Sequence, residues 1–214
     1  MSAKLYEVLL GFSYVYSGWI LWNLFLAFIP LALSFWLYRR QKISRSLLWW
    51  AVFVVFIVFL PNAPYVLTDI IHLIRGTRTG LSVWVIALVM IPVHVLAILS
   101  GFEAYVISLI NQSYYLRKQG LNRIIVWASE VLTHGLCAVG IYLGRFDRFN
   151  SWDFVNEPTD IVRTTVRNLI SKQPAVIMLV TFIVLVVFYW IMKQITLGLY
   201  LRYRYLRLGK DVLE

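Results

Sequence analysis

Long apolar, uncharged runs alternate along this chain with short segments that are rich in lysine and arginine. A helix needs ~20 apolar residues to cross about 30 Å of hydrocarbon. The runs predict five membrane spans, at about 18–38, 46–60, 81–102, 124–143 and 175–192. The pattern therefore predicts an all-α, polytopic membrane protein that forms a single domain over residues 1–214.

Residues 104–116 follow the third span and are also largely apolar. The block 81–116 is too short for two spans of ~20 residues with a turn between them. We therefore expect 104–116 to continue the third helix at the membrane interface. A hairpin folded at 101–103 is the alternative.

The composition supports a membrane protein, since 61% of the 214 residues are hydrophobic and 14% are charged. Soluble domains average ~45–50% apolar and ~25% charged residues. The net charge of +10 comes from basic residues in short loops, so lipid headgroups explain it better than nucleic acid does. Cys137 is the only cysteine, which excludes an intramolecular disulfide and a cysteine-based metal cluster.

The distribution of lysine and arginine predicts the orientation. With five spans, twelve of these residues lie on the side of loops 39–45 and 117–123, and eight lie on the other side. Five of those eight belong to the long, acid-containing loop 144–172. Because basic short loops stay in the cytoplasm, we expect a multi-pass protein of the plasma (inner) membrane, with its N-terminus outside and its C-terminus cytoplasmic.

The second apolar run ends at two prolines, Pro61 and Pro64, which precede an amphipathic segment. Each proline removes a backbone N–H and disfavours helical geometry in the residue before it, so we expect Leu60 and Ala63 to leave the helix. A break at membrane depth survives only inside protein or beside water, which makes it a candidate for function. Beyond it, helical periodicity predicts a polar arc of Tyr65, Thr68, Asp69, His72 and Arg75, opposite Val66, Leu67, Ile70, Ile71, Leu73 and Ile74.

The polar arc has two interpretations. Neighbouring side chains among Tyr65, Asp69 and His72 are three or four residues apart and can meet on a helix, so the arc can orient an acid beside an imidazole. Alternatively, the segment is an interfacial helix whose polar face meets water and headgroups.

A second polar cluster lies in 144–153, where arginine and aspartate alternate with phenylalanine and tryptophan. Arg145 and Arg148 are candidates to bind a phosphate, or to pair with an aspartate: Asp69, Asp147 or Asp153. After this cluster, Pro158 is expected to open a second interfacial amphipathic helix on the outer face. Its apolar stripe would comprise Ile161, Val162, Val166, Leu169 and Ile170, and we expect it to be scaffold or lid.

Two motifs carry a family resemblance. The segments 59–65 and 68–73, together with 140–146 and 150–153, resemble domain of unknown function 1361, a family of bacterial polytopic membrane proteins. The likeness in length and span layout covers nearly the whole chain. It implies an inner or plasma membrane location and no established activity, and it offers no catalytic residues to carry over. Both motifs fall on the face expected to be outside, which favours a function there.

Three ionisable residues, His94, Glu130 and His134, fall inside the predicted spans. Such groups are costly in a membrane and by default mark sites or paths. A proton relay, a divalent metal site and a buried Glu–His hydrogen bond between helices are the alternatives. The spacing matches no strong metal motif, and we assign no metal ligand.

These observations leave three hypotheses of function. The first is a non-enzymatic protein whose outer polar face binds a lipid headgroup, small ligand or partner protein. The second is an enzyme acting on a lipid-linked substrate, with Asp69 or Asp153 as base or nucleophile, His72 as acid–base partner and the arginines as phosphate clamp. The third is proton-coupled transport, which would require a homo-oligomer. The candidate ligand-binding residues are Asn62, Tyr65, Asp69, His72, Arg145, Arg148, Asn150, Trp152 and Asp153.

Membrane lipids are the expected partners, with a homo-oligomer or a membrane protein partner as further candidates. The residues identify no cofactor.

Overall fold

The computed structural model describes residue 6 and residues 19–40, 45–78 and 80–208. The structure is 88% helical, and no strand occurs within these ranges. Five helical stretches are long and apolar enough to cross a membrane: Ile20–Tyr38, Leu47–Gly76, Val83–Lys118, Arg123–Asp147 and Lys172–Arg207. The all-α, multi-pass architecture is therefore confirmed.

Ten helices, two π-helical segments and one 3₁₀ turn make up the described fold. In chain order they are α1 (Trp19–Tyr38), α2 (Leu47–Phe59), α3 (Asn62–Tyr65), the 3₁₀ turn Val66–Asp69, α4 (Ile70–Gly76), α5 (Val83–Val85), the π segment Ile86–Met90, α6 (Ile91–Lys118), α7 (Arg123–Tyr142), the π segment Leu143–Asp147, α8 (Asp153–Asn156), α9 (Pro158–Ile170) and α10 (Lys172–Arg207).

Two packing interfaces organise the bundle. Helix α1 packs mainly against α6, and α10 packs mainly against α7. The core between the helices contains fully buried side chains such as Leu37, Phe56, Tyr105, Leu109 and Leu185. At most 39% of each apolar span window is buried inside the protein, so most apolar side chains face outward, as expected of helices surrounded by lipid.

Residues 104–116 belong to α6, which runs unbroken from Ile91 to Lys118. The continuation of the third helix is confirmed, and no hairpin forms at Gly101. Within this stretch Tyr105, Leu109 and Asn111 are buried inside the bundle, and its position at the membrane interface stays a prediction.

The last helix is longer than its apolar run suggested. Helix α10 has 36 residues, a length of about 54 Å at 1.5 Å per residue, whereas the predicted span was 175–192. Lys193, which we expected in a loop, therefore lies inside α10. The residues of the final turns, from Leu199 to Leu208, are exposed.

The bundle has two distinct ends. The motif end holds the start of α1, the segment that follows α2, the end of α7 and helices α8 and α9. The basic end holds the end of α1 and the connection between α6 and α7. There Arg39 Nε donates to Asn111 Oδ1 at 2.6 Å, and Arg45 Nε donates to the Tyr115 hydroxyl at 2.9 Å.

Candidate functional site

The proline segment at the motif end remains helical. Leu60 has φ −56° and ψ −38°, and Pro61 has φ −59° and ψ −24°, so our expectation that Leu60 leaves the helical region is wrong. The Leu60 N–H still donates to Phe56 O at 2.9 Å. Pro64 cannot donate to Leu60 O, and the Ala63 N–H takes that carbonyl instead at 3.1 Å. The prolines therefore change the hydrogen-bond register and separate α2 from α3, while the backbone keeps helical dihedral angles.

The polar arc beyond the prolines is only partly turned to the protein interior, because Asp69 is buried while Arg75 is exposed, and Val66 of the opposite arc is buried as well. Asp69 is only 4% exposed, whereas Ile70 and Ile74 from the opposite arc are 51% and 42% exposed. Asn23 of α1 donates to Asp69 Oδ2 at 2.9 Å. Asp69 therefore faces a protein partner, as expected of a charged group beside lipid, and the interfacial position of the segment stays a prediction.

Arg145, from the other motif, contacts the polar arc. Its guanidinium donates to the Tyr65 hydroxyl and to Thr68 O, both at 3.4 Å. It is also close enough to Asp69 and His72 for its charge to act on both. The structure thus brings together four of the predicted site residues, Tyr65, Asp69, His72 and Arg145.

The remaining charges of the second cluster are used elsewhere. Arg148 is exposed and adopts a left-handed conformation with φ 63°. Asp153 accepts from the Asn150 backbone N–H at 2.6 Å and thereby closes a local turn. Asp147 accepts from the buried Asn168 of α9 at 2.7 Å. Arg148 and Asp153 therefore do not join Arg145 and Asp69 in one pocket.

The two motifs contact each other directly. Asn62 Nδ2 donates to Ser151 Oγ at 2.8 Å and to Phe59 O at 2.9 Å. A Cβ at Gly140 would lie 2.6 Å from Pro61. The two segments can approach each other this closely only because glycine has no Cβ. The proline segment therefore packs against α7 with almost no space between them.

These contacts border a cavity of about 480 Å³ at the motif end. Its wall is mainly apolar and comes from α1, α2, α3, α7, α9 and the loop between α7 and α9. The lining residues are Trp22, Asn23, Leu26, Ile57, Val58, Pro61, Asn62, Tyr65, Leu136, Val139, Gly140, Leu143, Gly144, Phe149, Asn150, Ser151, Trp152, Phe154, Ile161, Val162, Thr165 and Val166.

Four of the predicted ligand-binding residues line this cavity, namely Asn62, Tyr65, Asn150 and Trp152. The other five, Asp69, His72, Arg145, Arg148 and Asp153, are not part of its lining.

Sequence reasoning missed three polar residues of the wall: Asn23, Ser151 and Thr165. Asn23 carried a usable signal, because a polar side chain inside an apolar span is costly and marks a buried partner or site. Thr165 lies beside the predicted apolar stripe of α9, and helical periodicity alone does not separate it from the solvent face.

A family model with the description "Protein of unknown function (DUF1361)" matches residues 22–187, more than three quarters of the chain. The chain belongs to this family. No curated protein and no solved structure matches it. The DUF1361 match spans both motifs and every residue that lines the cavity.

The intramembrane ionisable residues of this DUF1361 protein occupy two separate places. Glu130 accepts from Ser113 of α6 and forms an ion pair with Lys193 of α10. His134 lies on the same helix as Glu130, and its Nδ1 atom is 2.6 Å from the Tyr105 hydroxyl oxygen. Both residues therefore bind other helices, and the expected Glu–His hydrogen bond is wrong.

His94 lies far from that pair. It precedes Ser113 by 19 positions on α6, a separation of about 28 Å along the helix, and it lines a small internal cavity with Asp69. A relay or metal site built from His94, Glu130 and His134 is therefore excluded by distance. Within the described ranges, no group of three or more His, Cys, Asp or Glu side chains is placed to hold a metal ion.

Proposed function

We propose that the cavity at the motif end binds a small amphipathic molecule with one apolar chain, such as a single-chain lipid. One observation carries this proposal: both family motifs meet at one mainly apolar cavity that holds a few polar groups. Ligand pockets are typically concave and apolar, with a small number of polar groups that orient the ligand.

The dimensions fit such a ligand. A volume of about 480 Å³ accommodates roughly 16 groups of the size of a water molecule, each of which takes ~30 Å³ in the liquid. That is the size of one alkyl chain with a compact head. Trp22 and Trp152 on the wall are 51% and 42% exposed, so a ligand can reach the cavity past their rings.

Helix α9 supplies the cover of this site. Ile161, Val162 and Val166 from its apolar stripe line the cavity together with Thr165. Arg163 and Arg167, on its other side, are exposed. This amphipathic arrangement supports a role for α9 as a lid between an apolar ligand and the polar surroundings.

The contacts favour binding over catalysis. Asp69 faces α1 and α6 and is absent from the lining of the large cavity, and Asp153 is engaged by the Asn150 backbone. Neither carboxylate is in position to act on a molecule in the cavity. The transport hypothesis loses its support as well, since Glu130 is engaged by Lys193 and Ser113.

The basic residues support an orientation for this site. Arg39, Arg45, Arg117 and Arg123 cluster at the basic end, and basic short loops stay in the cytoplasm. We therefore place the motif end at the outer face of the plasma membrane, where the ligand would enter from the outer leaflet.

The test compares two tryptophan substitutions on α7. Val139→Trp puts a large ring into the cavity wall, whereas Leu132→Trp alters an exposed, lipid-facing position of the same helix. Each variant is extracted into nanodiscs together with native membrane lipids, and bound small molecules are identified by native mass spectrometry. We expect a retained single-chain ligand in the unmodified protein and in L132W, and its loss in V139W. Equal retention in all three, or none in any, contradicts the proposal.

A further inference from the structure

The polar groups that line the large cavity are all uncharged. They are the side chains of Asn23, Asn62, Tyr65, Asn150, Ser151 and Thr165, together with the indoles of Trp22 and Trp152. The direction in which each group donates its hydrogen determines what it can offer to a ligand. The neighbours of these groups in the protein fix most of those directions.

The three asparagine amides direct their nitrogens into the protein. Asn23 Nδ2 faces the Asp69 carboxylate at 2.9 Å, Asn62 Nδ2 faces Phe59 O at 2.9 Å, and Asn150 Nδ2 faces Asp153 Oδ2 at 3.4 Å. Carboxylates and carbonyls only accept hydrogen bonds, so each amide must point its N–H₂ toward them. The Oδ1 atoms receive no hydrogen bond from residues 19–40, 45–78 or 80–208. They remain acceptors for a ligand.

The hydroxyl groups follow the same pattern. Thr165 Oγ1 donates to Ile161 O at 2.7 Å, and Ser151 Oγ donates to Val58 O at 3.4 Å. Ser151 Oγ already accepts from Asn62 Nδ2 at 2.8 Å, and the remaining lone pairs of the two hydroxyls can accept from a ligand. Tyr65 differs, because its hydroxyl accepts from Arg145 at 3.4 Å and keeps its own proton as a donor. Trp22 and Trp152 also line the cavity, and an indole N–H only donates. The cavity thus offers both acceptors and donors, and none of them is charged. A hydroxyl group can use both kinds, because it donates and accepts.

We propose that the head of the bound molecule is uncharged and rich in hydroxyl groups, as in a glycerol or sugar head on one alkyl chain. This inference rests on the proposed function and names the class of its ligand. A phosphate is charged near neutral pH, and no side chain that lines the cavity carries an opposite charge, so its burial there is unfavourable. An ammonium would likewise lack a carboxylate among the lining residues. The phosphate clamp of Arg145 and Arg148 has no place in this arrangement.

Photolabelling with three matched probes tests the head group. The probes share one diazirine-bearing acyl chain and carry a glycerol, a phosphate or an ammonium head. They are added to the protein in phosphatidylcholine nanodiscs, and labelled peptides are located by mass spectrometry. We expect the glycerol probe to label the cavity wall at least tenfold more than either charged probe, and V139W to abolish this labelling.

The outcomes separate the two proposals. Equal or stronger cavity labelling by a charged probe overturns the uncharged head and leaves binding of an amphipathic molecule intact. If none of the three probes labels the cavity of the unmodified protein above the V139W background, the proposed function itself is overturned.

A charge introduced into the wall gives an independent measurement. Thr165→Lys places an ammonium among the lining residues, whereas Thr164→Lys places the same group on α9 outside the lining. We expect T165K to raise labelling by the phosphate probe at least tenfold and to lower labelling by the glycerol probe, with T164K unchanged. A phosphate probe that labels T165K no better than T164K contradicts the inference.

Discussion

Replacement of Gly140 by alanine tests whether the two motifs depend on close contact. A Cβ at this position would lie 2.6 Å from Pro61 Cγ and 2.7 Å from Pro61 Cβ, whereas carbon atoms pack best at ~3.5–4.0 Å. The proline ring cannot rotate away, because it is closed onto its own backbone. The backbone of α7 or of the proline segment must therefore shift. Overpacking of this kind costs typically ~1–3 kcal/mol.

A second alanine substitution on the same helix isolates that cost. Gly135 also lies in α7, and a Cβ there would meet no atom within 4 Å. Both substitutions gain up to about 1 kcal/mol of helix propensity, so Gly135→Ala is expected to be neutral or stabilising. Gly140→Ala should have a free energy of unfolding about 1–3 kcal/mol lower than that of Gly135→Ala.

The assay is reversible unfolding in mixed micelles by titration with dodecyl sulfate, followed by tryptophan fluorescence. If G140A unfolds at the same denaturant fraction as G135A, the contact between Pro61 and α7 does not constrain the structure. The argument for a shared motif surface then fails.

Two further predictions concern the ion pair and the orientation. Lys193→Met leaves the buried Glu130 carboxylate without its ammonium partner and should lower the free energy of unfolding by ~3–5 kcal/mol. The double variant with Glu130→Gln should recover most of that loss. A double variant as unstable as K193M would show that the ion pair is not the cause. For orientation, Arg148→Cys should react with a membrane-impermeant maleimide on intact cells, and Leu121→Cys should react only after permeabilisation. Cys137 is buried, so we expect no background reaction from it. The opposite result inverts the proposed orientation.

The spans could be predicted because hydrocarbon thickness sets their length and composition marks them. The ends of the spans were harder to predict, as Lys193 illustrates. A lysine normally ends an apolar run. The Lys193 ammonium forms an ion pair with Glu130 of α7, so the residue remains part of helix α10. The same limit applies to residues 104–116 of α6, whose burial depends on contact with α1 and not on their own periodicity.

The sequence left two interpretations of the polar arc open, and the reason is physical. Helical periodicity shows that Asp69 and Ile70 belong to different faces, but not which face meets the protein. In water the apolar face turns inward. Next to lipid a charged group such as Asp69 is stabilised by a partner inside the bundle, here Asn23.

The charged residues drew attention to the motif end, yet the uncharged ones line its cavity. Arg145 is engaged by Tyr65 and Thr68, and Asp153 is engaged by the Asn150 backbone. Asp69 and Asp153 each take an amide N–H from a residue of the cavity wall, Asn23 and Asn150, so these charges hold wall residues in place. The contacts of Arg145 and Asp69 join residues far apart in the sequence. The fold sets these contacts, and local pattern does not predict them.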